Sequence, residues 1–421
     1  MCGFTGFISI ENIKNNTLKN MSELLTHRGP DDNGSYIDEV FNFNIAHNRL
    51  SIIDLNKTGG QPMISSLGNV LVYNGEIYNY REIRLQIEKK YKIKFKGYSD
   101  TEVLLNLLEK EGLQKTLDTV NGMFSFCYYN NLEKKLYFVR DKMGEKPLYY
   151  GFNNSIFFFS SELKALKAHQ DFKPVISKKS FNYLRTLNYI PSPYSIFENV
   201  HKLKPSHYIV YDLKKNHKQN ITQHKYWENT INISKSLTFD QTKNVLKKKL
   251  FEVVESELIA DVDLGIFLSS GIDSSLVASI ASKVSKKKIN TFSLGFKDPY
   301  FDESKESKKI ADYIGSNHRS IYLDEKDYIE SINKINKIYC EPFSDSSQIV
   351  TIPLCEYASR FVKVCLTGDG GDELFCGYNR YINSDKIEKY FTNKLNIFEK
   401  SFFKILTFFN NQNLNNFLVK I

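Results

Sequence analysis

The sequence predicts two folds in series: an α+β half, then an α/β half with a mainly parallel sheet. Two observations carry the division. Up to residue 213, short apolar runs come in pairs around polar turns with helical stretches set between them, as hairpins beside helices do. Beyond residue 237, short apolar strands alternate with helices, which makes a parallel sheet covered on both faces. The polar stretch 214–236, rich in lysine and asparagine, reads as a linker, with Tyr226 and Trp227 docking onto one domain. A length of 421 residues accommodates two such domains, 1–213 and 237–421.

Each element has its own justification. In the first half, 70–73 is a short apolar strand running into Asn74-Gly75, a turn dipeptide. The runs 124–129 and 136–139 flank Asn130-Asn131, and 148–152 and 156–159 flank Asn153-Asn154, as hairpin strands flank a turn. Helices are expected over 80–90 and 101–111, the second capped by Thr101 and carrying Leu104, Leu105 and Leu108 at helical spacing. The second half reads as helix 242–259, strand 262–268, a Ser/Gly loop and a helix from Ser275. Strand 289–296, helix 303–314, strand 318–323, helices 328–338 and 349–361, and strand 362–366 follow, the last entering a Gly-rich loop. Ligands of such sheets bind at the carboxyl ends of the strands. The late apolar run 397–409 carries Glu399, Lys400 and Lys404 and reads as an amphipathic helix.

Composition bounds the function. With 41% apolar and 25% charged residues the chain is an ordinary globular protein, neither disordered nor fibrous. The net charge of +9 sits partly in lysine runs such as Lys247-Lys248-Lys249 and Lys286-Lys287-Lys288. No aromatics interleave them, so solvated helix faces are expected and no nucleic acid. The opening MCGFTGFISIENIKNN has no basic region, and Ser9 and Glu11 interrupt its apolar run, so it is not a signal peptide. No apolar stretch approaches the ~20 residues of a membrane span, so no membrane partner is expected. Six cysteines without CxxC spacing indicate neither a zinc site nor a disulfide framework, and a reduced, cytoplasmic enzyme follows.

The chemistry begins at Cys2. Removal of Met1 would leave a thiol and a free α-amine on one residue, nucleophile and base together. Taken alone, a second-position cysteine is an accident of sequence. Arg49, Asn74-Gly75, Glu76 and Asp100 likewise have bland accounts one by one: a surface arginine, a hairpin turn, a helix cap. Together they are the parts for an amide substrate with an amino-acid head. A guanidinium suits the α-carboxylate, a carboxylate suits the ammonium, and an Asn amide with a Gly N–H suits the oxyanion of a tetrahedral intermediate. Further along, Leu268-Ser269-Ser270-Gly271-Ile272-Asp273-Ser274-Ser275 joins a strand to a helix, where backbone N–H groups approach a phosphate. It is not a GxxxxGK[ST] loop, since no lysine follows. Thr367-Gly368-Asp369-Gly370-Gly371-Asp372-Glu373 ends another strand with glycines for close approach and carboxylates that suit Mg²⁺. Two such loops at one sheet edge would face one nucleotide.

These stretches carry a family resemblance. The motifs MCGFTGF, HRGPDD (27–32), RLSIID (49–54), YNGEIYN (73–79), YSDTE (98–102) and RDKMGEKPLYY (140–150) resemble a class II glutamine amidotransferase domain of the N-terminal-nucleophile type, an αββα sandwich. The resemblance implies that Cys2 is the nucleophile, that Asn74 and Gly75 form the oxyanion hole, and that Arg49, Glu76 and Asp100 hold glutamine. SLGF (293–296), FDES (301–304), EPFSDSS (341–347) and LTGDGGDELFCGYNRY (366–381) resemble the asparagine synthetase domain, an ATP-pyrophosphatase type fold. Its loop of the SGGxDS kind reads SSGIDS here, Ser270 replacing a glycine; serine is small but does not adopt φ > 0 freely. By the same resemblance Ser269, Ser270, Gly271 and Ser274 contact phosphate, and Asp273 and Asp372 hold Mg²⁺–pyrophosphate. Leu294 and Gly368 meet the adenosine part of ATP through backbone, and Asp369 stands where many relatives have Glu.

What the whole resemblance implies is β-adenylation of aspartate by ATP, then displacement of AMP by ammonia released from glutamine. Pairing of two copies through the first domain is implied too. A related amidotransferase acting on another carboxylate, such as a sugar uronic acid, has the same architecture. The family's synthetase domain normally continues past the GDGGDELF region into a lysine-bearing segment that nothing from residue 385 to Ile421 matches. The expectation is a C-terminally truncated domain. That keeps open a third reading, a glutaminase-only or non-catalytic relative.

Overall fold

A computed structural model describes residues 2–10, 16–153, 156–215, 221–231, 237–298, 300 and 302–384. Strand β1 (Gly3–Ser9) is buried along its whole length, because both of its faces are covered. Phe4 and Ile8 point one way, into an apolar layer between two sheets, and Phe7 points the other way, towards helices. The first sheet runs β10 (Val200–Lys202), β8 (Tyr149–Asn153), β9 (Ile156–Ser160), β1, β3 (Phe43–Arg49), β2 (Asp32–Asp38). The second runs β12 (Ile221–Lys225), β11 (His207–Asp212), β7 (Lys135–Arg140), β6 (Gly122–Asn130), β5 (Val70–Ile77), β4 (Met63–Ile64).

Phe43, Ile45, Val72, Tyr129, Phe138 and Phe159 fill the space between the two sheets. Helices Tyr80–Tyr91 and Asp100–Thr119 cover the outer face of the second sheet through Ile83, Ile87, Leu104 and Leu108. Helix Asn16–Glu23 covers the outer face of the first through Leu18 and Met21. The layers are therefore α, β, β, α, as the resemblance implies.

Both hairpins expected over 124–139 and 148–159 are present, as β6–β7 and β8–β9. Three expectations need correction. Asn74-Gly75 is not a turn: β5 runs through it, pairing Asn74 with Ser125 and Gly75 with Phe124. A Cβ on Gly75 would meet the Phe124 backbone at 2.7 Å, so the glycine serves a close strand approach. The helix cap is Ser99, not Thr101; the Glu102 N–H donates to its hydroxyl, and the helix kinks at Gly112. The expected linker holds strand β12, paired with β11, so the first fold runs on beyond residue 213. Tyr226 does dock, its hydroxyl donating to the Arg140 carbonyl at 2.8 Å, and Lys142 lies over the Trp227 ring.

The second half has a four-stranded parallel sheet, β15 (Asn317–Leu323), β14 (Asn290–Phe296), β13 (Leu264–Phe267), β16 (Val364–Leu366). Helices Phe239–Glu257, Ile272–Val284 and Ser304–Ile314 pack Val254, Ala278, Ala281 and Ala311 on one face. Phe292, Ala358 and Val362 form a smaller layer on the other. Lys247, Lys248 and Lys249 are exposed, the latter two beside Glu252. All six cysteines are unpaired. Among the described residues no helix is long and apolar enough to cross a membrane. The amphipathic helix expected over 397–409 lies outside the described residues.

Candidate active sites

The first site is a cavity of about 310 Å³ whose walls include Cys2, Arg49, Tyr73, Asn74, Gly75, Glu76 and Asp100, all six sequence-nominated residues among them. Cys2 opens β1 at the centre of the first sheet. Its sulfur receives the Leu50 N–H at 3.4 Å, and its carbonyl receives Arg28 Nε at 2.9 Å. Burial pushes the thiol up from its ordinary value, with the Leu50 backbone and the chain's amino terminus working against that. A thiol held protonated needs a base within reach, and the α-amine exposed by removing Met1 is the nearest by construction.

Asn74 is 1% exposed, and both polar atoms of its amide lack a partner. An orphaned buried amide is costly unless something fills its place in use. Asp100, also buried, accepts from the Tyr73 hydroxyl at 2.8 Å and the Ile77 N–H at 3.1 Å, and burial raises its pKa. Glu76 is pushed up to about 8 by burial and then by the Asp100 charge, with Lys146 opposing. Two carboxylates raised in this way would be relieved by a cation placed between them. Arg49 lines the cavity, but three of its bonds go to backbone carbonyls: Nη1 to Asn56 at 3.0 Å, Nη2 to Ile53 at 3.1 Å and Asp54 at 2.5 Å. It braces the 53–56 loop as well as facing the cavity.

Several residues here carried no chemical signal in the sequence. Gln61 bonds the Tyr73 N–H at 2.7 Å, and His47, held neutral with a pKa near 3 by burial, meets the Tyr73 carbonyl at 3.1 Å. Arg28 reaches from Cys2 to Glu162 at 2.7 Å. Glu162 also takes Lys164 at 2.8 Å. All of them orient residues that do have a chemical signature.

The second site lies at the carboxyl edge of the parallel sheet. Loop 268–271 leaves β13 and enters helix Ile272–Val284, and loop 367–370 leaves β16. The loops abut. A Cβ on Gly368 would meet Ser274 N at 2.7 Å, and one on Gly371 would meet Asp273 Oδ2 at 2.5 Å. The Ser269 and Ser274 hydroxyls lie 2.8 Å apart, and the Gly271 N–H donates to Ser269 at 3.1 Å. Leu294 sits near the carboxyl end of the neighbouring β14. Ser270 is not among the residues with positive φ, so its side chain is tolerated, and its hydroxyl donates to Glu303 at 2.7 Å. Glu303 was not singled out from the sequence.

Asp273 and Asp372 stand in the first turns of the helices that follow the two loops, Ile272–Val284 and Gly371–Phe375, and Asp369 is exposed. Among the described residues no three His, Cys, Asp or Glu side chains gather as a metal cage. Two carboxylates across a gap lined by glycine fit a Mg²⁺ that takes its remaining ligands from phosphate and water.

Fold and sites define a glutamine amidotransferase domain joined to a nucleotide-dependent synthetase domain. The family description "Glutamine amidotransferase domain" matches residues 1–227, and "Asparagine synthase" matches residues 245–418. The chain is 36% identical over 411 residues to "Putative asparagine synthetase (glutamine-hydrolyzing) 2" of Methanocaldococcus jannaschii, covering 92% of this chain and 78% of that protein. It is 33% identical to asparagine synthetase (glutamine-hydrolyzing) 1 of Bacillus subtilis, covering 90% of this chain and 59% of that protein. It is 29% identical to amidase chry2 of Gibberella zeae, covering 90% of this chain and 60% of that protein. The chain belongs to the glutamine-hydrolysing asparagine synthetase family. It spans less than two thirds of the length of the bacterial and fungal relatives.

Proposed function

We propose that this protein hydrolyses glutamine at Cys2 and uses the ammonia to amidate an adenylated carboxylate, with aspartate as the acceptor. The observation that carries the reading is the company of the Cys2 sulfur and the orphaned Asn74 amide in one cavity. The α-amine of Cys2 takes the thiol proton, and the sulfur attacks the glutamine side-chain carbonyl carbon. The oxyanion that forms is met by Asn74 Nδ2 and the Gly75 N–H. Proton return to nitrogen releases ammonia, and water then hydrolyses the thioester to glutamate. Glu76 and Asp100 hold the substrate ammonium, and Arg49 its carboxylate.

At the second site the acceptor carboxylate oxygen attacks the α-phosphorus of ATP, and pyrophosphate leaves. Ser269, Ser270, Gly271 and Ser274 cradle phosphate, while Leu294 and Gly368 contact adenosine through backbone. Asp273 and Asp372 would hold a Mg²⁺ whose charge offsets that of pyrophosphate, and Asp369 stands at the loop tip. Ammonia attacks the acyl carbon, and AMP leaves. The loops read ATP rather than the acceptor. A different carboxylate therefore remains the second reading, favoured by the similarity to a protein named as an amidase.

The test is pyrophosphate release by the full chain given ATP, Mg²⁺, and glutamine or ammonia, with aspartate or a panel of other carboxylates. Aspartate-dependent release with asparagine formed is expected. In Cys2→Ala, glutamate formation is expected to fall at least about 10³-fold while ammonia-dependent release persists. Release that follows another acceptor would replace aspartate. Loss of both activities together would sink the two-site reading.

A further inference from the structure

Strand β5 has one closed edge and one open edge. On the closed edge it pairs with β6 from Val70 to Ile77. On the other, β4 covers only its beginning, Ile64 against Val70 and Met63 against Leu71. Successive residues of an antiparallel strand turn their N–H and C=O to opposite sides. Tyr73, Gly75 and Ile77 turn theirs to the open edge, past the end of β4. Buried backbone groups there need partners from somewhere other than a strand.

Side chains supply them. The Tyr73 N–H donates to Gln61 Oε1 at 2.7 Å, and the Tyr73 carbonyl accepts from His47 Nε2 at 3.1 Å. The Ile77 N–H donates to the Asp100 carboxylate at 3.1 Å. Between these two anchored residues lies Gly75, in the wall of the Cys2 cavity, and among the described residues its N–H has no partner. The open edge is thus filled on both sides of the donor that the oxyanion needs.

The two Tyr73 partners come from different directions. The register that sets Met63 against Leu71 sets Gln61 against Tyr73. Pro62 has no N–H with which to continue the ladder, and the Gln61 side chain continues it instead. The other end of that amide donates to Thr101 Oγ1 at 3.4 Å, beside Asp100. His47 comes from the opposite sheet. It lies on β3 against Phe4 of β1, close after Cys2. Burial keeps its ring neutral, and a nitrogen that faces a carbonyl donates, so Nε2 carries the proton. This bond ties the sheet that carries Cys2 to the strand that carries Asn74 and Gly75.

We propose that Gln61 and His47 are positioning residues of the oxyanion hole: by gripping both backbone groups of Tyr73, they hold the Gly75 N–H and the Asn74 amide in place opposite the Cys2 sulfur. The proposal rests on the functional reading above. A donor that drifts loses more of its bond to an oxyanion than to a ground-state carbonyl, so the effect falls on kcat rather than KM.

The experiment measures glutamate formation by the full chain, together with inhibition by the γ-aldehyde of glutamate and by glutamate itself. The Cys2 sulfur adds to the aldehyde carbon, the C=O electron pair moves to oxygen, and the thiol proton follows, giving a tetrahedral adduct with its oxygen in the hole. Glutamate forms no such adduct. Gln61→Met and His47→Leu are each expected to lower kcat about 10–100-fold with KM within about threefold. Aldehyde affinity should fall by a similar factor while glutamate affinity holds. Gln61→Glu keeps an acceptor and His47→Gln keeps a donor, so both should recover most of kcat and of aldehyde affinity. Where an apolar variant melts below the assay temperature, Gln61→Asn or His47→Asn, which shorten the reach but stay polar, should show the same split. An unchanged kcat in these variants overturns the proposal. So does an equal loss of aldehyde and glutamate affinity, which marks a merely structural role. A wild type that forms no glutamate and binds no aldehyde overturns the functional reading itself, and the proposal falls with it.

Discussion

The glutamine site and the nucleotide site are built in opposite ways. The first lies within a sandwich, its Asn74 and Asp100 buried and its carboxylates raised in pKa before any substrate arrives. The second lies on the surface, with Ser269, Ser270, Gly271, Asp369 and Gly370 exposed and bonded mostly to one another or to Glu303. The difference matches the ligands proposed for the two sites. A glutamine side chain is small and uncharged at the reacting amide, so the groups that stabilise its transition state must be in place beforehand. ATP is a polyanion that brings enough charge to order flexible loops around itself. Preorganisation sits where the substrate supplies least.

Asn74→Ala gives the sharpest test of that contrast. It removes a buried amide without partners, which burdens the fold by about 1–3 kcal/mol, so the melting temperature should hold or rise by a few degrees. The same change should lower kcat for glutamine hydrolysis about 10²–10³-fold with little change in KM. A loss of stability would show that the amide is structural and break the comparison.

Glu76 comes next. With its pKa near 8 in the free protein, it is mostly protonated at neutral pH, while binding an ammonium requires the carboxylate. Glutamine affinity should therefore increase as pH rises, about tenfold per unit below 8, and level off above it. Glu76→Gln should flatten that profile of KM against pH. A wild-type KM that does not vary with pH would mean that Glu76 is not the ammonium's partner.

Effects at the nucleotide site should be read in ammonia-dependent pyrophosphate release. Asp273→Asn and Asp372→Asn should each reduce it more than about tenfold and raise the Mg²⁺ requirement, leaving glutamate formation without nucleotide unaltered. Ser270→Gly should do least. It removes an exposed hydroxyl bond to Glu303 and should change KM for ATP about twofold. A large effect would show that the loop depends on that bond to hold its shape.

Much of the molecule was legible in order. Both hairpins and the strand–helix alternation followed from residue spacing, and the resemblance supplied the αββα layering. Two of the three misreadings share one cause. Asn74-Gly75 looks like a turn because its local chemistry is that of a turn, but the Phe124 backbone pressing on Gly75 makes it strand. The 221–225 stretch looks like linker because it is polar. It is an exposed edge strand, and an edge needs only backbone to pair with β11. In both cases a partner distant in sequence outweighs the local preference.

The sequence by itself determined which chemical groups are present: an N-terminal thiol once Met1 is gone, an amide beside a glycine, two glycine-rich loops after strands. These are properties of contiguous residues, and their spacing survives in any arrangement of the chain. Tertiary structure alone decided that Asn74 is left without a partner and that Glu76 and Asp100 strain against each other. It alone set His47 and Gln61 against the two backbone groups of Tyr73. Desolvation and the facing of two sheets depend on what lies across the fold, and no local pattern encodes them.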